Sequence, residues 1–251
     1  MAKQSKSRSR WNSSLSKFKG LLIQYFFEFV ILVLGITVSF WLNERSIQNI
    51  EKQETIKVLE NIGMEVQDLK KYCRERSDTW EQDIQLYSTL LEDSLDVERI
   101  KELTTSKSRI EYNLIYYRAF EPPMNRYLSI INSGDIKLIK SDKLKEVLSR
   151  LHTYNFSSIE TTVQYEKSIK GQLVQLLTSK HPSLLLAVDD SSVSLDKFSV
   201  MLHNAILQNP ELRSKLRVQM KYFETRMSLL RLYVFALDEL ESELSRAQQE
   251  I

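Results

Sequence analysis

The 251-residue chain has few of the residues that bend or cross-link a polypeptide. It contains 5 glycines and 4 prolines, too few for the many turns of a β-sandwich or a β-barrel. Cys73 is the only cysteine, which excludes an intramolecular disulfide framework and a metal site with several cysteine ligands. The composition therefore favours helices over sheets.

The motifs of common enzyme classes are also missing. The three histidines, His152, His181 and His203, lack the spacing of metal ligands on one helix face. The glycines stand alone, so the chain has neither a P-loop nor a Rossmann fingerprint, and there is no nucleophile elbow. Acidic residues are mixed with Lys and Arg, which is typical of a solvated surface. We therefore predict no enzyme activity, no catalytic residue, no cofactor, no bound metal and no small-molecule substrate.

One long apolar segment is present, from Leu21 to Leu42, with the sequence LLIQYFFEFVILVLGITVSFWL. As a helix it spans roughly 33 Å, enough to cross the apolar core of a bilayer. Tyr25 and Trp41 lie near its two ends, where aromatic rings favour the lipid–water interface. A cleaved signal peptide would have a shorter apolar core and a small-residue cleavage site, and SFWLNERS offers none. We predict an uncleaved, single-pass membrane anchor.

Charge predicts the orientation of this anchor. Residues 1–20 contain no acid and the six cations Lys3, Lys6, Arg8, Arg10, Lys17 and Lys19. Positively charged flanks stay in the cytoplasm, so we expect a cytoplasmic N-terminus, a bacterial inner-membrane location and an extracytoplasmic helical domain. We expect the Ser-rich tail to be disordered and to contact anionic lipid headgroups rather than nucleic acid.

Polar and small residues share one face of the predicted membrane helix. Gln24, Glu28, Gly35 and Ser39 cluster within about 60° when successive residues turn by about 100°. Such stripes mediate helix association in lipid, which predicts a homo-oligomer or a complex with another membrane protein. Glu28 has two interpretations. It lies near the headgroups or shares a proton with a neighbouring chain, or it is a functional proton site or the organiser of an oligomer.

After the membrane we predict a helical neck at 43–58 and a bundle domain at 59–251. A heptad-like seam of apolar residues begins at Leu59. Arg76 and Asp83 occupy two of its positions, where the pattern calls for an apolar residue. Its apolar members are Leu59, Ile62, Val66, Leu69, Cys73, Trp80, Tyr87 and Leu90. The position of Cys73 on this seam favours a buried thiol over a nucleophile.

Further helices follow from periodicity and capping signals. We predict a short helix at 97–103, one that starts at Pro122-Pro123 and ends at Gly134, and a long one from Asp142 to Ser179 that Pro182 stops. A linker, a helix at 195–207 and a last helix from Asn209-Pro210-Glu211 to Gln249 complete the chain. The predicted seam of the 142–179 helix is Leu144, Leu148, Leu151, Ile159, Thr162, Ile169, Leu173 and Leu176. That of the last helix is Leu216, Met220, Phe223, Met227, Leu230, Val234, Leu237 and Leu244, which only Glu241 interrupts.

These segments predict an all-α fold. One N-terminal transmembrane helix continues into an elongated helical bundle with coiled-coil-like long helices.

An aromatic and basic cluster interrupts the helical pattern between residues 112 and 127. It contains Tyr112, Tyr116, Tyr117, Arg118, Arg126 and Tyr127. The tyrosines either fill the bundle core or form a surface for docking a partner, since tyrosine suits interfaces. The two arginines also offer weak support for an anionic ligand.

Two stretches resemble a bacterial family of uncharacterised single-pass membrane proteins. FFEFVILVLGITVSFWLNERS resembles its anchor, which carries an acid, a central glycine and an Asn-Glu exit. YLSIINSGDIKLIKSDKLKEVLSRLHTYN resembles its central motif. The resemblance implies that Glu28, Gly35, Asn43 and Gly134 occupy motif positions, without giving them roles. Trp41 and His152 depart from the pattern.

The leading functional hypothesis is a non-enzymatic, oligomeric envelope scaffold or interaction module, whose partners are the bilayer and copies of itself or another membrane protein. A second hypothesis is a stator-like or proton-linked membrane subunit that uses Glu28, by analogy alone. A third is a membrane-anchored sensor or effector.

Overall fold

A computed structural model describes the backbone of residues 6–250 and the side chains of residues 25–250. The described chain is all-α, as predicted. Its α-helices are α1 (Lys6–Leu91), α2 (Val97–Leu103), α3 (Lys107–Ile115), α4 (Asn125–Ser133), α5 (Asp142–Arg150), α6 (Phe156–Lys180), α7 (Pro182–Asp189), α8 (Leu195–Gln208) and α9 (Pro210–Gln249). A 3₁₀ turn, Asp135–Leu138, follows α4, and a π-helical turn, Leu151–Asn155, joins α5 to α6.

The chain divides into two units, Met1–Thr55 and Ile56–Ile251. In the first unit the backbone is helical from Lys6, whereas the sequence predicts a disordered tail over residues 1–20. No glycine or proline precedes Gly20, so nothing in the tail stops a helix once it has formed. Residues 1–5 of that tail lie outside the described residues.

Within α1, a stretch near its start is long and apolar enough to cross a membrane. Its most apolar 18-residue window has a mean hydropathy of 2.0, and none of that window is buried. The predicted neck is helical and its side chains are exposed from Asn43 to Glu54.

In the second unit, the local signals place most helix ends correctly. Gly134 ends α4 with φ 76° in the left-handed region, which glycine adopts without a steric penalty. The Ser141 side chain caps α5 and the Asn209 side chain caps α9. α2 matches the predicted short helix, and Cys73 is buried as predicted.

The two ends of the predicted 142–179 helix are confirmed to within one residue, but four features of the helices differ from the prediction. The 142–179 helix is interrupted by the π-helical turn at Leu151–Asn155, and Pro182 starts α7 where a linker was expected, because proline suits the first turn of a helix. α4 begins at Asn125 rather than at Pro122-Pro123: Met124 is not helical, with φ −114° and ψ 19°, and Pro122, which precedes a proline, avoids the helical conformation. α3 occupies a region to which no helix was assigned.

The apolar core of the second unit consists of two clusters of buried side chains. The first core contains Val58 to Trp80 of α1, Ile159 and Val163 of α6, and Met227 to Ala247 of α9. The second core contains Leu86 to Leu91 of α1, Leu173 to Leu177 of α6, and Leu212 to Phe223 of α9, together with residues of α2, α3, α7 and α8. On each of these three long helices, the two cores are separated by buried polar residues.

Candidate functional site

Those buried polar residues, together with Asn113 and Gln219 at the edge of the second core, form what we call the polar layer. It consists of Asp83 on α1, Asn113 on α3, Glu166 and Lys170 on α6, and Gln219 and Arg226 on α9. Each is at most 3% exposed. Burial of charged groups is costly unless they are paired and hydrogen-bonded, so the partners of each member decide whether the layer stabilises the fold.

Asp83 has two arginine partners. Arg109 Nη2 donates to Asp83 Oδ1 at 2.7 Å, and Arg118 Nε donates to Asp83 Oδ2 at 2.9 Å. Both arginines reach the surface, with side chains 28% and 15% exposed. The carboxylate is therefore neutralised from the edge of the domain.

Arg226 is fully buried and makes three hydrogen bonds to α6. Nη1 donates to Glu166 Oε2 at 2.7 Å, Nε donates to Thr162 Oγ1 at 2.9 Å, and Nη2 donates to the Thr162 carbonyl oxygen at 2.9 Å. Its guanidinium also lies 5.1 Å from the ring centroid of Trp80. Burial nevertheless raises the pKa of Glu166, while Arg226 and then Lys170 oppose that shift.

Lys170 contacts α1 and α3 and lies near Glu166 of its own helix. Its ammonium nitrogen donates to the Asn113 carbonyl oxygen and lies 3.3 Å from the Tyr87 hydroxyl oxygen. Glu166 Oε1 is 3.9 Å away, at the limit of an ion pair. Burial lowers the pKa of Lys170 to about 7, against the opposing attraction of Glu166 and Asp83.

The predicted aromatic and basic cluster divides between two places. Tyr112 stacks on Tyr116 with ring centroids 5.2 Å apart, and the Arg118 guanidinium lies 4.6 Å from the Tyr112 ring centroid. Tyr116 and Tyr117 are exposed, and Lys167 lies 5.3 Å from the Tyr117 ring centroid. This part of the cluster is thus a surface, and Arg118 connects it directly to Asp83 of the polar layer.

Arg126 and Tyr127 belong to a separate cluster at the start of α4. Arg126 pairs with Asp68 at 2.6 Å, and the Tyr127 ring stacks on His152 with centroids 3.8 Å apart. Among the described residues, no contact that we find joins Arg126 or Tyr127 to Tyr112, Tyr116 or Tyr117.

Glu65 organises this second cluster. Its Oε2 accepts the backbone N–H of Tyr127 at 2.8 Å, and its Oε1 lies 2.8 Å from His152 Nε2. α4 has no capping side chain of its own, so Glu65 serves as a cap supplied by α1. Nδ1 of His152 lies 2.9 Å from the Leu148 carbonyl oxygen, which can only accept. His152 and Glu65 thus tie the π-helical turn to α1 and α4.

The two remaining histidines and the cysteine have structural rather than catalytic surroundings. His181 Nε2 bonds the Asn209 side chain at 2.9 Å, and His203 Nδ1 lies 3.2 Å from the Leu90 carbonyl oxygen. Burial raises the pKa of Cys73 to about 12, which disfavours the reactive thiolate. Within the described residues, no group of three or more His, Cys, Asp and Glu side chains is placed to hold a metal ion.

The predicted membrane-helix face is partly described. Glu28, Gly35 and Ser39 are exposed, while the side chain of Gln24 lies outside the described residues. A shallow groove of about 510 Å³ runs along this part of α1 and is lined by Leu32, Gly35, Ile36, Ser39, Phe40 and Asn43. A Cβ atom added at Gly35 would meet nothing within 4 Å, so the glycine leaves open space in the groove.

Most predicted seam positions of α6 and α9 are buried, but at three positions the prediction lies one residue away, and two of the residues missed in this way, Lys170 and Gln219, belong to the polar layer. Lys170 is buried where Ile169 was predicted, and Gln219 and Tyr233 are buried in place of Met220 and Val234. Besides Met227 and Ala236, the buried positions of α9 alternate in steps of four and three through Leu212, Leu216, Gln219, Phe223, Arg226, Leu230, Tyr233, Leu237, Leu240, Leu244 and Ala247. Glu241 lies outside this seam and binds Lys70. The sequence did contain a signal for these positions. Heptad spacing applied strictly, with polar residues allowed on the seam as Asp83 already is on α1, would have found them.

Comparison of the chain with protein-family models, with curated proteins and with solved structures finds no match.

Proposed function

We propose that the chain is a non-enzymatic, single-pass protein of the bacterial inner membrane that presents an extracytoplasmic helical domain as a scaffold or interaction module. The observation that carries this proposal is the exposure of the apolar part of α1. None of its most apolar window is buried, and Phe29, Ile31 and Phe40 are among its exposed side chains. In water this surface would be unfavourable, whereas a bilayer removes it from water.

An interaction role accounts for the chemistry of the domain better than catalysis. The buried carboxylates Asp83 and Glu166 are bound by arginines, and the thiol of Cys73 is buried. The exposed groups near the layer are aromatic rings paired with cations, as at Tyr117 and Lys167. Such amphipathic groups suit contacts between proteins.

The proposed orientation depends on the six cations of residues 1–20. It is tested by fusing a reporter that is active only outside the cytoplasm after Ile251, and separately one that is active only inside. We expect activity from the first fusion, in membranes that retain the protein after alkaline extraction. Release by alkali would contradict the anchor, and activity of the second fusion alone would contradict the extracytoplasmic domain.

Self-association is the second element of the proposal. The groove face of α1 carries the pair Gly35 and Ser39 at a spacing of four, which permits close approach of helix backbones in lipid. Beyond the groove, Ile47 and Ile50 continue as exposed apolar residues at the same alternating spacing. Copies of a single-pass chain insert in one direction, so the contact would be parallel.

The test of self-association compares two glycine substitutions of equal size. Gly35→Leu fills the groove, while Gly171→Leu adds the same side chain on α6, where an added Cβ also meets nothing within 4 Å. Association is measured in lipid nanodiscs by energy transfer between differently labelled copies. We expect the population of associated copies to fall about tenfold for Gly35→Leu and to stay unchanged for Gly171→Leu. Equal transfer in both variants contradicts association through this groove.

A proton-linked role of Glu28 remains the alternative proposal. Glu28→Gln keeps the side-chain volume and removes the titratable group. If a cellular phenotype of the deleted gene is restored equally by the wild-type protein and by Glu28→Gln, the alternative is rejected.

A further inference from the structure

The Asn113 carbonyl oxygen is the most crowded acceptor of the polar layer. The Tyr87 hydroxyl, the Lys170 ammonium and the Gln219 amide all donate to it, the last at 3.3 Å. A carbonyl oxygen has two lone pairs, so three donors exceed its capacity. This carbonyl oxygen is therefore short of lone pairs whenever Lys170 is an ammonium group, which can only donate.

Loss of one proton from Lys170 corrects this shortage. A neutral amine still donates an N–H to Asn113, and its lone pair accepts the hydroxyl proton of Tyr87, whose oxygen lies 3.3 Å from Nζ. Asn113 is then left with two donors, Lys170 and Gln219. The hydrogen-bond count by itself thus favours the uncharged form of Lys170 in the folded bundle.

The charges that surround Lys170 act in both directions: the carboxylates favour its charged form and the guanidinium groups favour its neutral form. They come from each packed element: Asp83 and the Tyr87 hydroxyl on α1, Arg109 on α3, Arg118 on the segment after α3, Glu166 on α6 and Arg226 on α9. Both carboxylates are already bound by arginines, Asp83 by Arg109 and Arg118 and Glu166 by Arg226, so a charged Lys170 has no carboxylate of its own to offset its burial. Glu166, the nearest carboxylate, is already bound by Arg226 at 2.7 Å.

α3 is held to the bundle by apolar contacts of Ile110 and Leu114 in the second core and by these polar contacts. Its buried residues are Ile110, Asn113 and Leu114, and Arg109 connects it to Asp83. The Asn113 side-chain nitrogen and the Gln219 side-chain oxygen are buried without a hydrogen-bond partner among the described residues. A partly satisfied polar network in a nonpolar interior is easily destabilised, and α3 depends on this one.

We propose that the contact of α3 with α1, α6 and α9 is controlled by a proton on Lys170: the contact is closed when Lys170 is neutral and opens more often when it is protonated. α3 carries Tyr112 and leads into Tyr116 and Tyr117, so opening rearranges the exposed tyrosine surface. The regulation of partner binding by this step rests on the proposed interaction role. The opening itself does not.

Hydrogen exchange of the full-length protein in nanodiscs tests the opening. Protection factors of the α3 amides, corrected for the intrinsic pH dependence of exchange, are compared at pH 6 and pH 9. Because a neutral lysine in the closed state and an ordinary lysine in the open state bind different numbers of protons, we expect protection at least about tenfold lower at pH 6. In Lys170→Met we expect the two values to agree within about twofold.

Lys167→Met is the matched control, since Lys167 lies on the same helix, is exposed and contacts Tyr117. We expect it to keep the wild-type pH response of α3. An equal response in wild type and Lys170→Met, or no response in wild type, overturns the proposal. Because the readout needs neither a partner nor a particular side of the membrane, its failure leaves the proposed function standing, and the reporter fusions test that function separately.

A second variant keeps the test decisive if Lys170→Met does not fold. Tyr87→Phe removes one of the three donors to Asn113, so protonation of Lys170 no longer exceeds the capacity of the carbonyl oxygen. We expect the ratio of protection factors between pH 9 and pH 6 to shrink at least about threefold relative to wild type. An unchanged ratio contradicts the hydrogen-bond argument and overturns the proposal.

Discussion

The apolar segment of α1 and the polar layer of the bundle place side chains in opposite ways. In the first, Phe40 is 71% exposed and few atoms cover the apolar residues around it. In the second, Arg226 is 0% exposed and Asp83 is 1% exposed. Neither arrangement follows the rule that apolar groups lie inside and charges outside. The available partner decides the location: the bilayer that we propose for the apolar segment, and opposite charges with hydrogen bonds for the layer.

The strongest way to break this comparison is to remove the partner of a buried charge. Arg226→Met leaves the Glu166 carboxylate without its closest cation, at 2.7 Å, and Thr162 without two donors. We expect the free energy of unfolding to fall by about 3–5 kcal/mol. Urea unfolding of the full chain in detergent micelles, followed by far-ultraviolet circular dichroism, measures this change.

Arg246→Met is the control for that experiment, because its pair with Glu243 is 68% exposed on the arginine side. The expected change is below about 0.5 kcal/mol. Equal losses in the two variants would mean that burial of Arg226 has no special energetic role.

The pH dependence of stability sharpens the same comparison. Burial lowers the pKa of Lys170 to about 7 from its usual 10.5, so the unfolded chain binds more protons between these pH values and the free energy of unfolding rises with pH there. Below pH 7 both states hold the proton, and the penalty is complete. From pH 7.5 to pH 9 we expect a gain of about 2 kcal/mol, measured by urea unfolding at each pH.

Lys170→Met should remove most of this gain, because methionine does not titrate. A Lys170→Met protein that gains stability over the same pH range as wild type would assign the gain to other groups. Lys215→Met, on α9 and partly exposed beside Gln172, should retain the gain.

Glu65 offers a polar contact of intermediate cost. Glu65→Ala removes the cap of α4 and the partner of His152 Nε2, and we expect a loss of about 2 kcal/mol. Glu60→Ala, at an exposed position of the same helix, should change stability by less than about 0.5 kcal/mol. Thermal unfolding of both variants at one pH distinguishes them, and a Glu65→Ala protein as stable as Glu60→Ala would rule out the capping role.

The smallest effect is expected on the exposed apolar segment. An added Cβ at Gly35 meets nothing within 4 Å, whereas one at Gly63 would lie 3.2 Å from Leu244 Cδ2. Gly63→Leu should therefore destabilise the bundle by about 1–3 kcal/mol through overpacking. Gly35→Leu should leave bundle unfolding unchanged within about 0.5 kcal/mol. Chemical denaturation of the two variants side by side gives the answer, and a large loss for Gly35→Leu would place that residue in a packed contact.

Prediction from sequence succeeded where the signal is local. The α1 seam from Leu59 to Leu90 is buried at each predicted apolar position, and Ser141, Asn209 and Gly134 cap the predicted helix ends. It failed where charged residues sit on a seam. Ile169 was chosen over Lys170 because an isolated helix gives no reason to bury an amine.

The candidate site shows the same limit. The cluster of Tyr112, Tyr116, Tyr117, Arg118, Arg126 and Tyr127 was found as a set because its members are close in sequence. The structure separates Arg126 and Tyr127 from the rest through Asp68 and His152. The docking role of Tyr116 and Tyr117 stays a prediction.

The sequence by itself determined the all-α architecture, the apolar segment suited to a membrane, and most helix caps, because each depends on residues within a few turns of one another. Only the tertiary structure decided which charges are buried. Asp83 finds Arg109 and Arg118 on other elements, and Arg226 finds Glu166 from a position far along the chain. A buried charge is tolerated only when such partners converge on it, and that convergence is set by the packing of the helices.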